Sequence, residues 1–225
     1  MRDEDKARLL GRCELFEGLP EEDLLQLAAC AAATRYRRGQ IVFVEGDTAD
    51  ALLVVVEGRL KVIARTPDGD ELLLAVVGPD STLGELALAD GGRRSATVEA
   101  LEDSMALRVE REAVRQLARA RPALAEHLVV ALARVVRRLT GAAADLVFLD
   151  VPRRLAKLLL EQRAAKASDT VDMALSQREI ATRIGGSRQT VNQALREFER
   201  RGWIQTSGQT IMIRDAGGLR RFATS

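Results

Sequence analysis

The chain has 225 residues, 47% of them hydrophobic, and its 34 Lys and Arg nearly balance its 33 Asp and Glu. That length suits two compact domains, each with a core of its own. Two cysteines are too few for a disulfide framework or a metal-ligand spacing, and neither an 18-residue apolar run nor a signal-peptide pattern is present, so we expect a cytoplasmic protein that makes no membrane contact.

The N-terminal segment predicts two helices followed by a β domain. A short charged helix is expected over residues 3–17, and a second helix is expected to begin at residues 19–22 with acidic residues in its first turn. From Thr34 to Val109, short runs of Val, Ile and Leu separated by glycines predict an antiparallel β-roll or sandwich.

Three stretches of this β domain allow sharper predictions. The sequence Thr-Pro-Asp-Gly-Asp at residues 66–70 predicts a hairpin loop. The apolar runs at 52–56 and 72–77 are continuous rather than alternating, so we expect both strands to be buried on both faces.

A loop at residues 83–98 interrupts the predicted sheet and holds the first candidate binding residues. Arg94 can offer a planar charge to a phosphate and Ser95 a hydroxyl donor, while Glu85 can accept a hydrogen bond from a sugar hydroxyl. Arg93 is an adjacent rival for the phosphate role. A solvated surface loop with scattered charges is the alternative interpretation of this stretch.

A long helix is predicted from Pro122 to Leu149, and the proline at position 152 marks where it should stop. Its apolar residues recur at alternating steps of four and three, which indicates one seam that packs against a partner helix in a dimer. A long core helix inside one domain is the alternative. The residues of the predicted seam are Leu128, Leu132, Val135, Leu139, Ala142, Leu146 and Leu149.

The two halves of the chain differ in charge. Residues 1–150 contain 20 Lys and Arg against 26 Asp and Glu, a net charge of −6, whereas residues 151–225 contain 14 against 7, a net charge of +7. A basic C-terminal half suits a nucleic-acid partner. An amphipathic helix is predicted over residues 153–165, followed by a short strand-like stretch at 171–175.

The remaining elements of the basic half predict a winged helix-turn-helix. Ser176 and Glu179 form a capping box that starts a helix ending at Ile184, and two glycines provide the turn. A second helix over 188–201 and two short strands at 203–213 complete the pattern. The side chains predicted to contact DNA at the start of the second helix are Ser187, Arg188, Gln189, Asn192 and Gln193.

The loop at 83–98 resembles the phosphate-binding cassette of cyclic-nucleotide-binding domains. The shared pattern is glycine, glutamate, leucine and alanine, then an arginine nine residues after the glutamate, followed by serine and alanine. The resemblance implies that the glutamate holds the ribose 2′-hydroxyl, the arginine and serine hold the cyclic phosphate, and the glycine closes the turn. The residues implied to bind the nucleotide are Gly84, Glu85, Leu86, Arg94, Ser95 and, from the long helix, Thr140.

Almost the whole chain resembles the CRP/FNR family of bacterial transcription regulators, in the cyclic-AMP receptor protein branch. The resemblance rests on residues 148–151 and 187–192, together with the order of cassette, long helix and helix-turn-helix. It implies a homodimer that binds cAMP, double-stranded DNA and RNA polymerase. The chain departs from the family at Leu139, where a second hydroxyl residue is common beside Thr140. It also departs in the recognition helix, where Gln189 and Gln193 replace a glutamate and an arginine.

We therefore predict an α+β chain with a cyclic-nucleotide-binding β-roll (jelly roll) at 1–120, a dimerisation helix at 121–150 and a winged helix-turn-helix DNA-binding domain at 151–225. The predicted function is a homodimeric transcription regulator that a cyclic nucleotide controls allosterically, with cAMP as the expected effector. No catalytic or metal-binding residue is predicted, so the chain is expected not to be an enzyme.

Three alternatives stay open at this point. The first is a regulator of the same fold that binds DNA without an effector. The second is a redox or haem sensor, for which two cysteines and one histidine supply few ligands. The third is a cyclic-nucleotide-processing enzyme that uses Glu85, although no second acid or nucleophile accompanies this glutamate.

Overall fold

The structure, a computed structural model, describes residues 1–65, 71–166, 168–172, 177–208 and 210–224. Helices and antiparallel sheets occur in both halves of the chain, so the predicted α+β class is confirmed. Some predicted features lie outside the described residues. They are the hairpin loop at 66–70, the Ser176 cap and the strand-like residues 173–175.

The chain divides into two compact units, Met1–Arg137 and Arg138–Ser225. The boundary between them falls inside the longest helix, Pro122–Phe148. The three-part division proposed from the sequence, with a separate dimerisation segment, stays a prediction.

The described part of the first unit contains eight strands together with several helices. In chain order its elements are α1 (Asp3–Leu10), a 3-10 turn (Glu14–Phe16), α2 (Glu21–Ala29), β1 (Ala31–Tyr36), β2 (Ile41–Phe43), β3 (Ala51–Glu57), β4 (Leu60–Arg65), β5 (Glu71–Val77), β6 (Thr82–Leu83), α3 (Glu85–Asp90), β7 (Thr97–Ala100), β8 (Ser104–Glu110), α4 (Arg111–Ala120) and the first part of α5 (Pro122–Phe148). The predicted single helix over 3–17 is therefore wrong. It ends at Leu10, and the chain is extended at Cys13 before the 3-10 turn.

The strands form two four-stranded antiparallel sheets, ordered β1-β8-β3-β6 and β2-β7-β4-β5. Strand β3 contributes to two cores. Leu53 and Val55 lie in the core between the sheets, and Leu52 and Val54 lie in the core beneath the helices. The prediction of two buried faces is confirmed for residues 52–55.

Strand β5 does not have two buried faces, so the same prediction is wrong for residues 72–77. Leu73 and Ala75 are buried, whereas Leu72 is 36% exposed. The physical reason is layering, because an antiparallel sheet can pack on the core with one face and leave the other solvated, whereas β3 is covered by helices on one face and by the second sheet on the other.

Helix α5 has the predicted start and a length of 27 residues. It ends at Phe148, one residue before the predicted end, and Pro152 lies in the first turn of the next helix, Val151–Lys166. The predicted dimer seam stays a prediction, although two of its residues have contacts within one chain. Leu128 packs against the core of the first unit, and Val135 is buried within a single chain. The large apolar residues of α5 that remain exposed are Val129, Val130, Val136, Leu139, Leu146, Val147 and Phe148.

The second unit has the predicted helix-turn-helix and wing. After the end of α5 its elements are α6 (Val151–Lys166), β9 (Thr170–Asp172), α7 (Gln177–Ile184), α8 (Arg188–Arg200), β10 (Ile204–Ser207), β11 (Thr210–Ile213) and α9 (Ala216–Thr224). The three strands form an antiparallel sheet in the order β10-β11-β9. As predicted, the apolar faces of α6 and α8 are buried in one core.

Helix α9 was not predicted, because Gly217 and Gly218 near its start disfavour a helix. Asp215 caps it, since one of its carboxylate oxygens accepts a hydrogen bond from the Gly218 backbone at 2.8 Å. Leu219 and Ala223 then pack into the core of the second unit. Tertiary packing and the cap outweigh the low helix propensity of glycine here.

Candidate functional site

The turn at Gly84 brings the backbone against the side chain of Arg94. Gly84 has φ +97°, a left-handed conformation that glycine adopts readily, and it precedes α3. A Cβ atom at this position would collide with Nη1 of Arg94 and lie 3.3 Å from the carbonyl oxygen of Ala51. The turn therefore needs glycine both for its backbone conformation and for the close approach.

Arg94 is 6% exposed although it carries a charge. Its Nη2 donates to the carbonyl oxygen of Ala51 at 2.7 Å, and its guanidinium carbon lies 4.2 Å from the centre of the Phe43 ring. Within the described part of the chain, its Nε and Nη1 atoms are buried without a hydrogen-bond partner. A buried cation with two unpaired hydrogen-bond donors is suited to an anionic ligand, because leaving those donors unpaired costs free energy.

A cavity of about 310 Å³ opens beside this guanidinium, at the lower end of the range for small-molecule sites. Both polar or charged and apolar side chains line it. The residues that line it are Tyr36, Val42, Phe43, Asp47, Thr48, Asp50, Leu53, Arg94 and Arg108.

Asp50 supplies negative charge near the buried guanidinium. Its carboxylate accepts from Nη2 of Arg108 at 3.0 Å, while its Oδ1 lies 4.0 Å from Nη2 of Arg94. Burial lowers the pKa of Arg94, and the carboxylates of Asp50 and Asp47 act against that decrease. Because the Asp50 side chain is 67% exposed, water screens its charge and the Arg94 charge is only partly neutralised.

The two adjacent arginines have different surroundings. Arg93 is exposed, its Nη1 donates to the carbonyl oxygen of Gly46 at 2.8 Å, and it forms an isolated β-bridge with Thr48. Arg94 is buried and lines the cavity. This difference favours Arg94 over Arg93 for the phosphate role.

The other predicted nucleotide-binding residues lie outside the cavity lining. Glu85 and Leu86 form the start of α3, and Ser95 is exposed directly after Arg94. Thr140 is exposed on the part of α5 that belongs to the second unit. Gly84, also outside the lining, lies in close contact with the Arg94 side chain.

Sequence reasoning missed Phe43 and Asp50, which contact or face the buried guanidinium. Phe43 ends a short strand and Asp50 precedes β3, so both are distant from Arg94 in sequence. No motif marks either residue. Only the folding of the two sheets brings them to the arginine.

The helix-turn-helix has the local chemistry predicted for it. Ser187 caps α8, since its hydroxyl oxygen accepts from the backbone N–H of Thr190 at 3.0 Å. Gly185 has φ +61° in the turn that precedes the cap. Val191 and Phe198 anchor α8 in the core of the second unit.

The predicted DNA-contacting side chains lie on the accessible side of α8. Arg188, Gln189 and Gln193 are exposed, and Asn192 is half-buried. Ser187 is exposed as well, although its hydroxyl is already engaged in the cap. The first two turns of α8 therefore present long polar side chains, which is what contact with base edges requires.

A second feature that sequence reasoning missed joins α8 to the wing. One carboxylate oxygen of Glu199 accepts from the backbone N–H of Thr206 at 2.8 Å and from its hydroxyl at 2.5 Å. These hydrogen bonds lower the pKa of Glu199, the hydroxyl having the larger effect. On the wing, Nη2 of Arg214 donates to the side-chain oxygen of Gln205 at 2.6 Å.

Two absences among the described residues bear on other kinds of function. No group of three or more His, Cys, Asp or Glu side chains there is placed to hold a metal ion. No helix of the described ranges combines the length and apolar character needed to cross a membrane. The two cysteines are free, Cys13 buried and Cys30 exposed.

Two protein-family models match the chain. A cyclic nucleotide-binding domain matches residues 33–121, and a Crp-like helix-turn-helix domain matches residues 153–222. The first match includes the turn at Gly84 and the buried Arg94. The second includes α7, α8 and the wing.

Two relatives are similar along almost the whole chain, and both of their names refer to cyclic AMP. The "CRP-like cAMP-activated global transcriptional regulator" of Mycobacterium tuberculosis is 37% identical over 222 residues, which are 96% of this chain and 98% of that protein. The "Cyclic AMP receptor protein" of Thermus thermophilus is 30% identical over 209 residues, covering 93% and 96%.

Solved structures agree on the fold. The catabolite activator protein of Thermus thermophilus has a TM-score of 0.53 at 31% identity, covering 94% of this chain and 98% of that one. FixK2 from Bradyrhizobium japonicum has a TM-score of 0.77 over 85% and 96%, and its 22% identity makes it evidence for the fold alone.

The fold and the matched domains define a transcription regulator that has a cyclic nucleotide-binding domain and binds DNA through its helix-turn-helix domain. The chain belongs to the CRP/FNR family, whose members are dimeric regulators. The transcription factors that it matches are not enzymes, so the prediction that this chain is not one is confirmed.

Proposed function

We propose that cAMP is the effector of this regulator, and that its binding beside Arg94 controls how a homodimer binds DNA. The observation that carries the proposal is the buried Arg94 guanidinium, which borders a cavity and has two donor atoms without partners in the described chain. A cyclic phosphate supplies both the negative charge and the acceptor oxygens that these donors lack. The names of two relatives that are at least 30% identical support cAMP as the nucleotide.

Each residue of the proposed effector site has a chemical role. The arginine and the serine hold the phosphate, the glutamate accepts from the ribose 2′-hydroxyl, and the glycine lets the backbone approach the arginine. The leucine and the threonine contact the rest of the nucleotide. In the order of the chain these residues are Gly84, Glu85, Leu86, Arg94, Ser95 and Thr140.

The proposed homodimer forms through α5. Val129, Val136, Leu139 and Leu146 are 66%, 60%, 45% and 48% exposed, and their spacings of seven and three are typical of a helix that packs against a second copy. A two-fold axis along this helix gives two helix-turn-helix units for the two half-sites of an operator. RNA polymerase as a partner, the cytoplasmic location and the division into 1–120, 121–150 and 151–225 belong to the same proposal.

On the DNA side, Arg188 is proposed as the main base contact, because a guanidinium can bond guanine O6 and N7 together. The amides of Gln189 and Asn192 both donate and accept, which suits adenine N6 and N7. Ser187 and Gln193 are proposed to contact the sugar-phosphate backbone or neighbouring base edges.

The test has two parts. Calorimetry with cAMP and with cGMP measures whether either nucleotide binds, and selection of duplexes from a random pool with and without cAMP measures whether binding changes DNA affinity. We expect cAMP to bind and to strengthen binding to the selected duplex. A protein that selects the same duplex equally well without nucleotide, and gives no heat with either nucleotide, would instead be an effector-independent regulator. That second candidate is favoured by the Asp50 carboxylate near Arg94 and by Leu139 in place of a hydroxyl residue.

A further inference from the structure

One arginine connects three parts of the second unit. Arg154, in the first turn of α6, donates from Nη1 to the carbonyl oxygen of Leu149 at 2.5 Å. Its Nε donates to the carbonyl oxygen of Ile184 at 2.6 Å, and its Nη2 to that of Gly185 at 3.2 Å. A single guanidinium therefore joins the segment after α5 to the end of α7 and to the turn before α8.

Carbonyl oxygens at the ends of helices need a hydrogen-bond donor from outside the helix. The last carbonyls of a helix have no partner within the helix and carry the negative end of its dipole. Leu149 directly follows the end of α5, and Ile184 is the last residue of α7. Arginine meets all three acceptors because its planar group has five N–H donors, whereas a lysine offers a compact point charge.

An ion pair lies at the same joint, by which we mean the region where the end of α5, the start of α6 and the turn before α8 meet. Nζ of Lys157, on α6, lies 2.7 and 2.6 Å from the two carboxylate oxygens of Asp145, on α5. The side chains are 39% and 25% exposed, so water screens this pair only in part. It holds the last turn of α5 to α6 independently of Arg154.

The two glycines of the turn lie close to the end of α5 and the start of α6, and Gly185 also has the positive φ of the turn. A Cβ atom at Gly186 would lie 2.7 Å from Cγ1 of Val151, nearer than such atoms can approach. A Cβ atom at Gly185 would lie 3.2 Å from Cδ2 of Leu146. The end of α5 and the start of α6 thus fit against the backbone that leads into α8.

We propose that Arg154 and the Lys157–Asp145 pair hold the end of α5 and the helix-turn-helix together as one rigid piece, so that Arg154 is a positioning residue for α8. The proposal deepens the proposed function and rests on it where it concerns the effector. When the effector changes DNA binding, α5 from Asp145 onward and α8 move together, and the backbone change lies before Asp145.

Gly141 is suited to that change. Among the described atoms none would lie within 4 Å of a Cβ there, so packing within one chain does not explain the glycine, which weakens the helix by about 1 kcal/mol relative to alanine.

The first test uses Arg154→Lys, which keeps the charge and removes the planar group. The matched control is Arg153→Lys, the neighbouring arginine, which makes none of the three bonds. Affinity is measured for the duplex selected by the wild type and for a random duplex at low salt. We expect Arg154→Lys to weaken specific binding by at least about fivefold, the loss expected for one misplaced base contact, with random-duplex binding unchanged. An equal loss on both duplexes means a purely structural role, and no loss on either means no role; both results overturn the proposal.

The second test fixes the joint covalently and guards against a variant that is simply unstable. Asp145→Cys and Lys157→Cys are introduced with Cys30→Ser, because Cys30 is exposed, and the new pair is bridged by a short bis-maleimide. Denaturing mass spectrometry confirms that the bridge lies within one chain. We expect the bridged protein to keep the wild-type ratio of DNA affinities with and without cAMP. A bridge that abolishes this ratio would place the change at the joint itself and overturn the proposal.

The two tests separate this inference from the proposed function. If the wild type binds no cyclic nucleotide, the proposed effector and the predicted change before Asp145 both fail, and the Arg154→Lys comparison alone decides the positioning role. If the wild type responds to cAMP and the bridged protein does not, the proposed function stands and the rigid joint is wrong.

Discussion

Replacing Arg94 by alanine should separate two roles that usually occur together, stabilising the fold and binding a ligand. In the free protein the substitution removes the hydrogen bond to Ala51 and the contact with Phe43, which stabilise the fold by roughly 1.5–3 and 0.5–2 kcal/mol. It also removes a buried charge with two unpaired donor atoms, each of which costs about 1–3 kcal/mol. These contributions have opposite signs, so we expect the free energy of unfolding to change by no more than about 2 kcal/mol.

The effect of Arg94→Ala on nucleotide binding is not offset by a contribution of opposite sign. The phosphate loses a charge-assisted pair, which should weaken binding by about 2 kcal/mol or more, close to a thirtyfold increase in Kd. Calorimetry with cAMP gives the Kd, and chemical denaturation gives the stability of each variant. Arg93→Ala is the matched control. Its exposed guanidinium bonds only the Gly46 carbonyl among the described atoms, and we expect less than about a threefold change in Kd.

The outcome that refutes this reasoning is equal loss of nucleotide binding in both variants, or unchanged binding in Arg94→Ala. Either result would mean that the buried guanidinium does not contact the phosphate. A variant that binds cAMP weakly only because it is largely unfolded is identified by the denaturation curve measured at the same temperature.

Leu139→Asp should convert the dimer to a monomer, because it places like charges together in a desolvated seam. The exposed Ala144→Asp is the control and should leave the protein dimeric. Light scattering measures the oligomeric state, and a dimeric Leu139→Asp variant would place the interface elsewhere. Gln189→Glu should shift the selected operators toward cytosine at one position, by about 1–3 kcal/mol of discrimination, whereas identical selected sites would limit Gln189 to phosphate contact. Burial raises the pKa of Cys13 to about 12, so at pH 8 only about one thiol in ten thousand is ionised and a thiol reagent should label Cys30 alone until the protein unfolds. Rapid labelling of both thiols in the folded protein would contradict this burial.

Much of the fold follows from local sequence signals whose physical causes are themselves local. Pro122 starts α5, because proline lacks only an N–H that the first turn of a helix does not use. Ser187 caps α8 after the glycine turn, since its short hydroxyl reaches the free N–H of Thr190. The start of α2 and the buried faces of α6 and α8 were predicted for the same kind of reason.

Tertiary structure decided the features that depend on neighbours distant in sequence. The runs at 52–56 and 72–77 look alike as sequence, but β3 packs against helices on one face and against the second sheet on the other, whereas β5 has only alternate residues buried. On α5 the period identifies apolar positions, but only the fold shows that Leu128 packs against the first unit's own core while Val129 is exposed.

The binding residues show the same division. The resemblance to a phosphate-binding cassette identified the loop that contains Arg93 and Arg94, since residue chemistry alone left a solvated surface loop as an alternative. The family pattern selected Arg94 over Arg93, and the fold adds a physical difference between them, because the sheets enclose only the Arg94 side chain. Arg94 is enclosed by Phe43, Gly84 and Ala51, three residues that the fold brings together, and a sequence read in order contains no record of that enclosure.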